Sequence, residues 1–249
     1  VAATPSLLYA PDLGASGSVL RLAREEAHYV ARVCRARAGD IVEATDGRGA
    51  LARLRLTSVG AAVSAEVLAI ERIERKRRAW LWCGAPERGR ADWIVEKLAE
   101  LGVERFQPLE CENASWPAGA ARIERWGRLA VAALRQSRRV FLLEIRPPVT
   151  VEEAIASMER PAVCRVGDPD GHPAGARPGG RVSGPAALEI GAIGPSGGFS
   201  PRERERLNAA GFVPTRLADA RLRTETAAVS LAAWWAAVGA GKSPGGESS

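Results

Sequence analysis

The feature that most constrains this chain is a change of periodicity near residue 75. Before it, apolar and polar residues alternate with period two in short runs: Val19-Leu20-Arg21-Leu22, Ile41-Val42-Glu43-Ala44-Thr45, Ala50 to Leu56, and Val63 to Ile70. Such alternation belongs to half-buried β-strands. Asp46-Gly47-Arg48-Gly49 separates two of these runs and carries hairpin chemistry. Glu25 to Cys34 reads as one short helix, so residues 1–74 are expected to form a small β-barrel with one helix. The basic cluster Arg75-Lys76-Arg77-Arg78 marks the boundary. Beyond it, Ala79 to Gly84 is a short apolar strand, Asp92 to Leu101 a helix stopped by Gly102, and Val103 to Leu109 a strand. Ile123 to Gln136 is an amphipathic helix burying Ile123, Trp126, Leu129, Ala130, Ala133 and Leu134. Strand–helix alternation predicts an α/β domain with a largely parallel sheet over 75–238. Residues 167–185 are rich in Gly and Pro and read as a surface loop, and residues 239–249 read as a disordered tail.

The charge pattern bears on partners. A net charge of +6 is concentrated in arginine groups at 21–37, 75–78 and 122–139. That placement suits a polyanion such as RNA, although a solvated charged face has the same composition. No apolar run reaches the roughly 18 residues of a membrane helix, and Val1 to Ala10 lacks the pattern of a signal peptide. A cytoplasmic protein with no membrane partner is therefore expected. Cys34, Cys83, Cys111 and Cys164 show no metal-ligand spacing, so buried free thiols and no metal are expected.

Two segments stand out as places for chemistry. Ala187 to Ile193 is a strand that runs into Gly194-Pro195-Ser196-Gly197-Gly198-Phe199 and then a helix. Ser200 is a good N-cap, Pro201 suits the first helical position, and Glu203 completes a capping box. Glycines at the carboxyl end of a parallel strand let a ligand approach the backbone, though an ordinary tight turn would look the same. The spacing fits neither the phosphate loop GxxxxGK[ST] nor the dinucleotide fingerprint GxGxxG. The second segment, Leu217 to Thr226, brings Arg223, Thr224, Glu225 and Thr226 to the start of a helix that is apolar nearly all round. Helix capping by Thr224 or Thr226 is the plain alternative there.

Taken in order, five segments resemble the uridine-N3 methyltransferases of small-subunit ribosomal RNA, within the SPOUT superfamily. They are His28 to Arg35 with the Asp46-Gly47 turn, Glu96 to Val103, Arg125 to Arg138 with Gln136-Ser137, Ile193 to Phe199, and Leu222 to Ala227. The resemblance implies an N-terminal PUA-like β-barrel and a catalytic domain with a deep trefoil knot. It further implies S-adenosylmethionine as cofactor, a homodimer, and ribosomal RNA or the small subunit as partner. Carried over by position, the cofactor residues are Gly167, Ile193, Gly194, Pro195, Gly197, Gly198, Leu217, Ala218, Leu222, Arg223 and Thr224. Arg32, Arg35, Arg128, Arg135 and Arg138 are the expected RNA-binding residues. Catalysis is expected from Arg223, which would stabilise negative charge or bind phosphate, and from Glu225, which would accept a proton directly or through water. The chain departs from the family's usual residues at Ser196, Arg135, Ala218 and Ala220. Those departures keep open a retargeted methyltransferase acting on another RNA or a metabolite, or a silent RNA-binding homologue.

Overall fold

The computed structural model describes residues 7–60, 62–116, 119–174 and 188–240, and the chain divides into two units. The first runs to Arg75 and takes in Val131–Leu142; the second comprises Lys76–Ala130 and the residues from Leu143 onward.

In the first unit, β1 (Leu7–Tyr9) and β2 (Val19–Arg21) precede α1 (Arg24–His28), which continues as a π-helical turn over Tyr29–Val33. β3 (Ile41–Thr45), β4 (Ala50–Val59) and β5 (Val63–Arg72) follow. The sheet order is β1-β3-β4-β5-β2, with β1 parallel to β3 and the other pairs antiparallel. No ladder joins β1 to β2 among the described residues, so the sheet is open where the alternation predicted a barrel. β4 buries Ala50, Ala52, Leu54 and Leu56 and exposes Arg53 and Arg55, as period two requires. The β3–β4 hairpin is held by Asp46, whose Oδ1 accepts from the backbone N–H of Arg48 at 2.7 Å and of Ala50 at 3.0 Å. Gly49 turns there with φ 105°, and a Cβ would lie 2.7 Å from the Ile73 carbonyl oxygen.

Residues 131–142, which the sequence pattern assigns to the second domain, pack with this first unit. Arg135 ion-pairs with buried Glu26 and lies over the Tyr29 ring, 5.0 Å from its centroid. Thr45 Oγ1 donates to the Val140 carbonyl at 3.1 Å, and the Leu142 N–H donates to the Gly47 carbonyl at 2.9 Å. Contacts between such distant residues leave no mark on local periodicity.

The second unit runs β6 (Arg78–Gly84), α2 (Ala91–Glu100), β7 (Arg105–Glu110), α3 (Ala120–Ser137), β8 (Glu144–Ile145) and β9 (Val149–Thr150). It continues with α4 (Val151–Ala156), β10 (Ala162–Pro173), β11 (Leu188–Ile193), α5 (Pro201–Ala209), β12 (Val213–Arg216) and α6 (Thr224–Ala240). The last turns of α3 belong to the first unit. The sheet order is β12-β10-β11-β6-β7-β8, with β9 also on β7, and every ladder is parallel. Ala79 through Gly84 are all buried, which fits a central strand covered on both faces. Gly102, at φ 76°, stops α2: its N–H reaches the Ala99 carbonyl and that of Val103 reaches Leu98. Phe106, Trp116 and Trp126 meet edge to face with centroids 5.3 to 6.0 Å apart.

The sequence pattern gave residues 167–173 to a loop, but β10 continues through Pro173 beside β12. Its glycines serve close approach: a Cβ at Gly171 would sit 2.5 Å from the Pro214 carbonyl carbon. The remainder of that expected loop, 175–185, lies outside the described residues. At the C-terminus, α6 runs to Ala240, through the first two residues of the expected tail; residues 241–249 lie outside the described residues. No helix among the described residues is long and apolar enough to cross a membrane.

Cys83, Cys111 and Cys164 are buried, and burial pushes each thiol above its usual pKa, whereas Cys34 is partly exposed. Thiol titration of the native protein should therefore count one fast cysteine, removed by Cys34→Ser. The other three should react only on unfolding; a second fast thiol would contradict this packing.

Candidate active site

β10, β11 and β12 are parallel neighbours, so the segments at their carboxyl ends converge on one edge of the sheet. They enclose a cavity of about 530 Å³. Gly167 from β10, Ile193, Gly194, Pro195 and Gly198 from the glycine turn, and Leu217, Ala218, Leu222, Arg223 and Thr224 after β12 all line it. Gly197 is the one expected cofactor residue not on the lining; its Cα faces Asn113, whose Cβ an added methyl would meet at 3.3 Å. Glu225 also lines the cavity, as do Ser196, Ala218 and Ala220, three of the four departures from the family's usual residues. Sequence reasoning missed Glu87, Asp170 and Arg204; with Asp168 and Arg221, which lie in segments that the resemblance assigns to the cofactor loops, they add charge of both signs to the walls. Asp170 sits in a stretch whose composition reads as loop.

The glycine turn is fixed from three sides. Ser200 caps α5 as expected: its Oγ accepts from the Glu203 N–H at 3.1 Å, and Glu203 Oε2 accepts from the Ser200 N–H at 2.8 Å. Glu203 is buried, and its Oε1 accepts from the Glu112 N–H at 3.0 Å, which ties the segment after β7 to the same cap. Asn113 Nδ2 donates to the Gly198 carbonyl at 3.0 Å. Thr224 Oγ1 donates to the Gly194 carbonyl at 3.0 Å, so that hydroxyl joins the two loops, in place of the capping role its position allowed. Gly84, at the end of β6, has no room for a Cβ, which would lie 2.5 Å from the Pro195 ring.

The two expected catalytic residues differ sharply in setting. Arg223 is exposed and pairs with Glu87 at 2.9 Å. Glu225 is buried; its Oε1 lies 3.7 Å from Arg90 Nε, and its Oε2 has no hydrogen-bond partner among the described residues. Of the expected RNA-binding arginines, Arg32, Arg35 and Arg128 are exposed. Arg138 is partly exposed and pairs with Glu43. Arg135 does not fit that role: it is largely buried, paired with Glu26, and burial lowers its pKa. A guanidinium committed to a buried carboxylate is a poor phosphate ligand.

Residues 74–236 match the family model described as an RNA methyltransferase domain, and residues 22–67 match an RNA methyltransferase PUA domain. The chain belongs to the RNA methyltransferase family. It is 31% identical over 229 residues to the ribosomal RNA small subunit methyltransferase E of Synechocystis, covering 89% of this chain and 73% of that protein. The protein of the same name from Aquifex aeolicus is 35% identical over 142 residues, which cover 56% of this chain and 59% of that protein. A crystal structure of the Neisseria gonorrhoeae methyltransferase E, bound to S-adenosyl methionine, superposes with a TM-score of 0.83 at 25% identity, covering 94% of this chain and 98% of that one.

Glu203→Ala removes the carboxylate half of the capping box and leaves the Ser200 and Glu112 N–H groups without their acceptor. Its cost should be about 2 to 3 kcal/mol, read from urea unfolding. A loss below about 0.5 kcal/mol would contradict a locking role.

Proposed function

We propose that this chain is an S-adenosylmethionine-dependent methyltransferase of small-subunit ribosomal RNA, acting in the cytoplasm on N3 of one uridine. The single observation that carries the reading is the convergence of ten of the eleven carried-over cofactor positions on one cavity, with Glu225 and Arg223 on its wall. The cavity falls within the roughly 300–1,000 Å³ typical of small-molecule sites. Ile193, Leu217 and Leu222 offer apolar contact for an adenine, and Glu87, Asp168 and Asp170 offer carboxylates for hydroxyl and cationic groups. These residues fit S-adenosylmethionine.

When bound, S-adenosylmethionine supplies an electrophilic methyl group on a sulfonium. The residues of this chain do the remainder. Methyl transfer needs an in-line approach, so a wall fixed by the Thr224–Gly194 and Asn113–Gly198 hydrogen bonds serves to orient the reacting groups. Uridine N3 carries a proton that must leave, and the unpartnered Glu225 oxygen is the acceptor we assign to it. Arg223 stabilises negative charge developing on the base or holds a phosphate. We further propose a PUA-like RNA-binding domain over residues 1–74, with Arg32, Arg35, Arg128 and Arg138 contacting the RNA backbone. The same reading includes a trefoil-knotted catalytic domain over 75–238 and a homodimer.

Labelled methyl transfer to small ribosomal subunits lacking the modification, mapped by mass spectrometry, tests the function. One methylated uridine is the expected result; intact cofactor binding with no transfer would contradict it. Arg223→Ala should lower transfer by about 10²-fold with an unchanged melting temperature, and undiminished turnover would remove Arg223 from the mechanism.

A further inference from the structure

A second cavity, of about 360 Å³, opens where α2 begins and is lined by Arg90, Trp93, Arg223, Glu225 and Thr226. It shares Arg223 and Glu225 with the larger cavity, so those two residues stand on a common wall. Trp93 is 41% exposed, although an indole is one of the most expensive side chains to leave in water. Glu225 presents the opposite anomaly: it is buried, yet one carboxylate oxygen receives no hydrogen bond among the described residues. A buried acceptor left unsatisfied costs stability, and such a cost is commonly tolerated where a ligand supplies the missing donor.

We infer that this second cavity receives the target base and that it selects uracil over cytosine, an inference that rests on the methyltransferase reading above. Trp93 offers a flat face for stacking of an unpaired base, the general device by which proteins hold single-stranded RNA. The pairing edge of uracil runs acceptor, donor, acceptor through O4, N3–H and O2. Glu225 is acceptor-only when ionised and meets the N3–H; Arg90, with its side chain more than half exposed and its Nε 3.7 Å from Glu225, meets the O4 carbonyl. Cytosine would turn its N3 lone pair toward the same carboxylate and its amino group toward a guanidinium. Both contacts would be repulsive, so discrimination arises from a mismatch of donors and acceptors. The donor to Glu225 is also the proton that must leave, so recognition and deprotonation fall on one atom pair.

The test uses full-length protein saturated with S-adenosylhomocysteine and a short single-stranded oligoribonucleotide bearing one central uridine, or cytidine in its place. Fluorescence anisotropy should show the uridine form binding about tenfold tighter. Trp93→Ala should weaken both oligonucleotides by about tenfold, and Trp93→Phe should restore most of the loss. Glu225→Gln should erase the uridine preference, because an amide presents both a donor and an acceptor. Unchanged binding by Trp93→Ala, or a preserved preference in Glu225→Gln, would overturn the subsite. So would a change of sedimentation mass in Trp93→Ala, which would make Trp93 a contact between copies. Methyl transfer to small subunits by the wild-type protein is read separately. If it occurs while Trp93→Ala binds normally, the subsite alone fails; if it does not occur, the reading beneath it fails.

Discussion

Three parallel strands lie side by side in the order β12, β10, β11, although the chain visits them as β10, β11, β12. The connection from β11 to β12 must therefore cross β10, and the segments leaving β11 and β12 come to flank the end of β10. Parallel pairing sends all three carboxyl ends to the same edge. Glycine at 167 and 194, the apolar Ile193 and Leu217, and the polar run from Arg223 to Glu225 meet there because of that ordering. Each comes from a different part of the sequence. The cavity is thus a consequence of topology, with side-chain chemistry laid onto it.

Two buried carboxylates divide the labour at this edge. Glu203 accepts from the backbone N–H groups of Ser200 and Glu112, so its charge is answered inside the fold and it holds the glycine turn in place. Glu225 is equally buried but, among the described residues, keeps one oxygen without a hydrogen-bond partner, with Arg90 3.7 Å from the other. Satisfied polar groups rigidify a structure, whereas an unsatisfied one stores an affinity that a ligand can release. Rigid support next to an unmet acceptor is what positional catalysis asks of a protein.

Much of this was legible in the sequence. The runs at 41–45 and 50–56 form strands of the first sheet, and the Asp46–Gly49 turn joins them. The helix stop at Gly102 and the cap at Ser200, Pro201 and Glu203 also stand as local chemistry dictates. These features depend on neighbours within a few residues. What periodicity does not carry is long-range pairing. Gly and Pro at 167–173 look like loop until β12 lies against them. Arg135 looks like part of a basic helix face until Glu26 and Tyr29 close over it. Thr224 looks like a helix cap until the Gly194 carbonyl is seen within reach. The acids at 87 and 170 gave no local signal, because only the fold brings them to one cavity.

The central claim is that the cavity at the ends of β10, β11 and β12 is the cofactor site. Calorimetric titration with S-adenosylhomocysteine, on the wild type and on Ala218→Trp, tests it most directly. Ala218 lines the cavity, so an indole there would occupy it. One ligand should bind per wild-type chain, and Ala218→Trp should bind at least about tenfold more weakly, equivalent to about 1.4 kcal/mol, at an unchanged melting temperature. Equal binding by the two proteins would place the cofactor elsewhere and contradict the account.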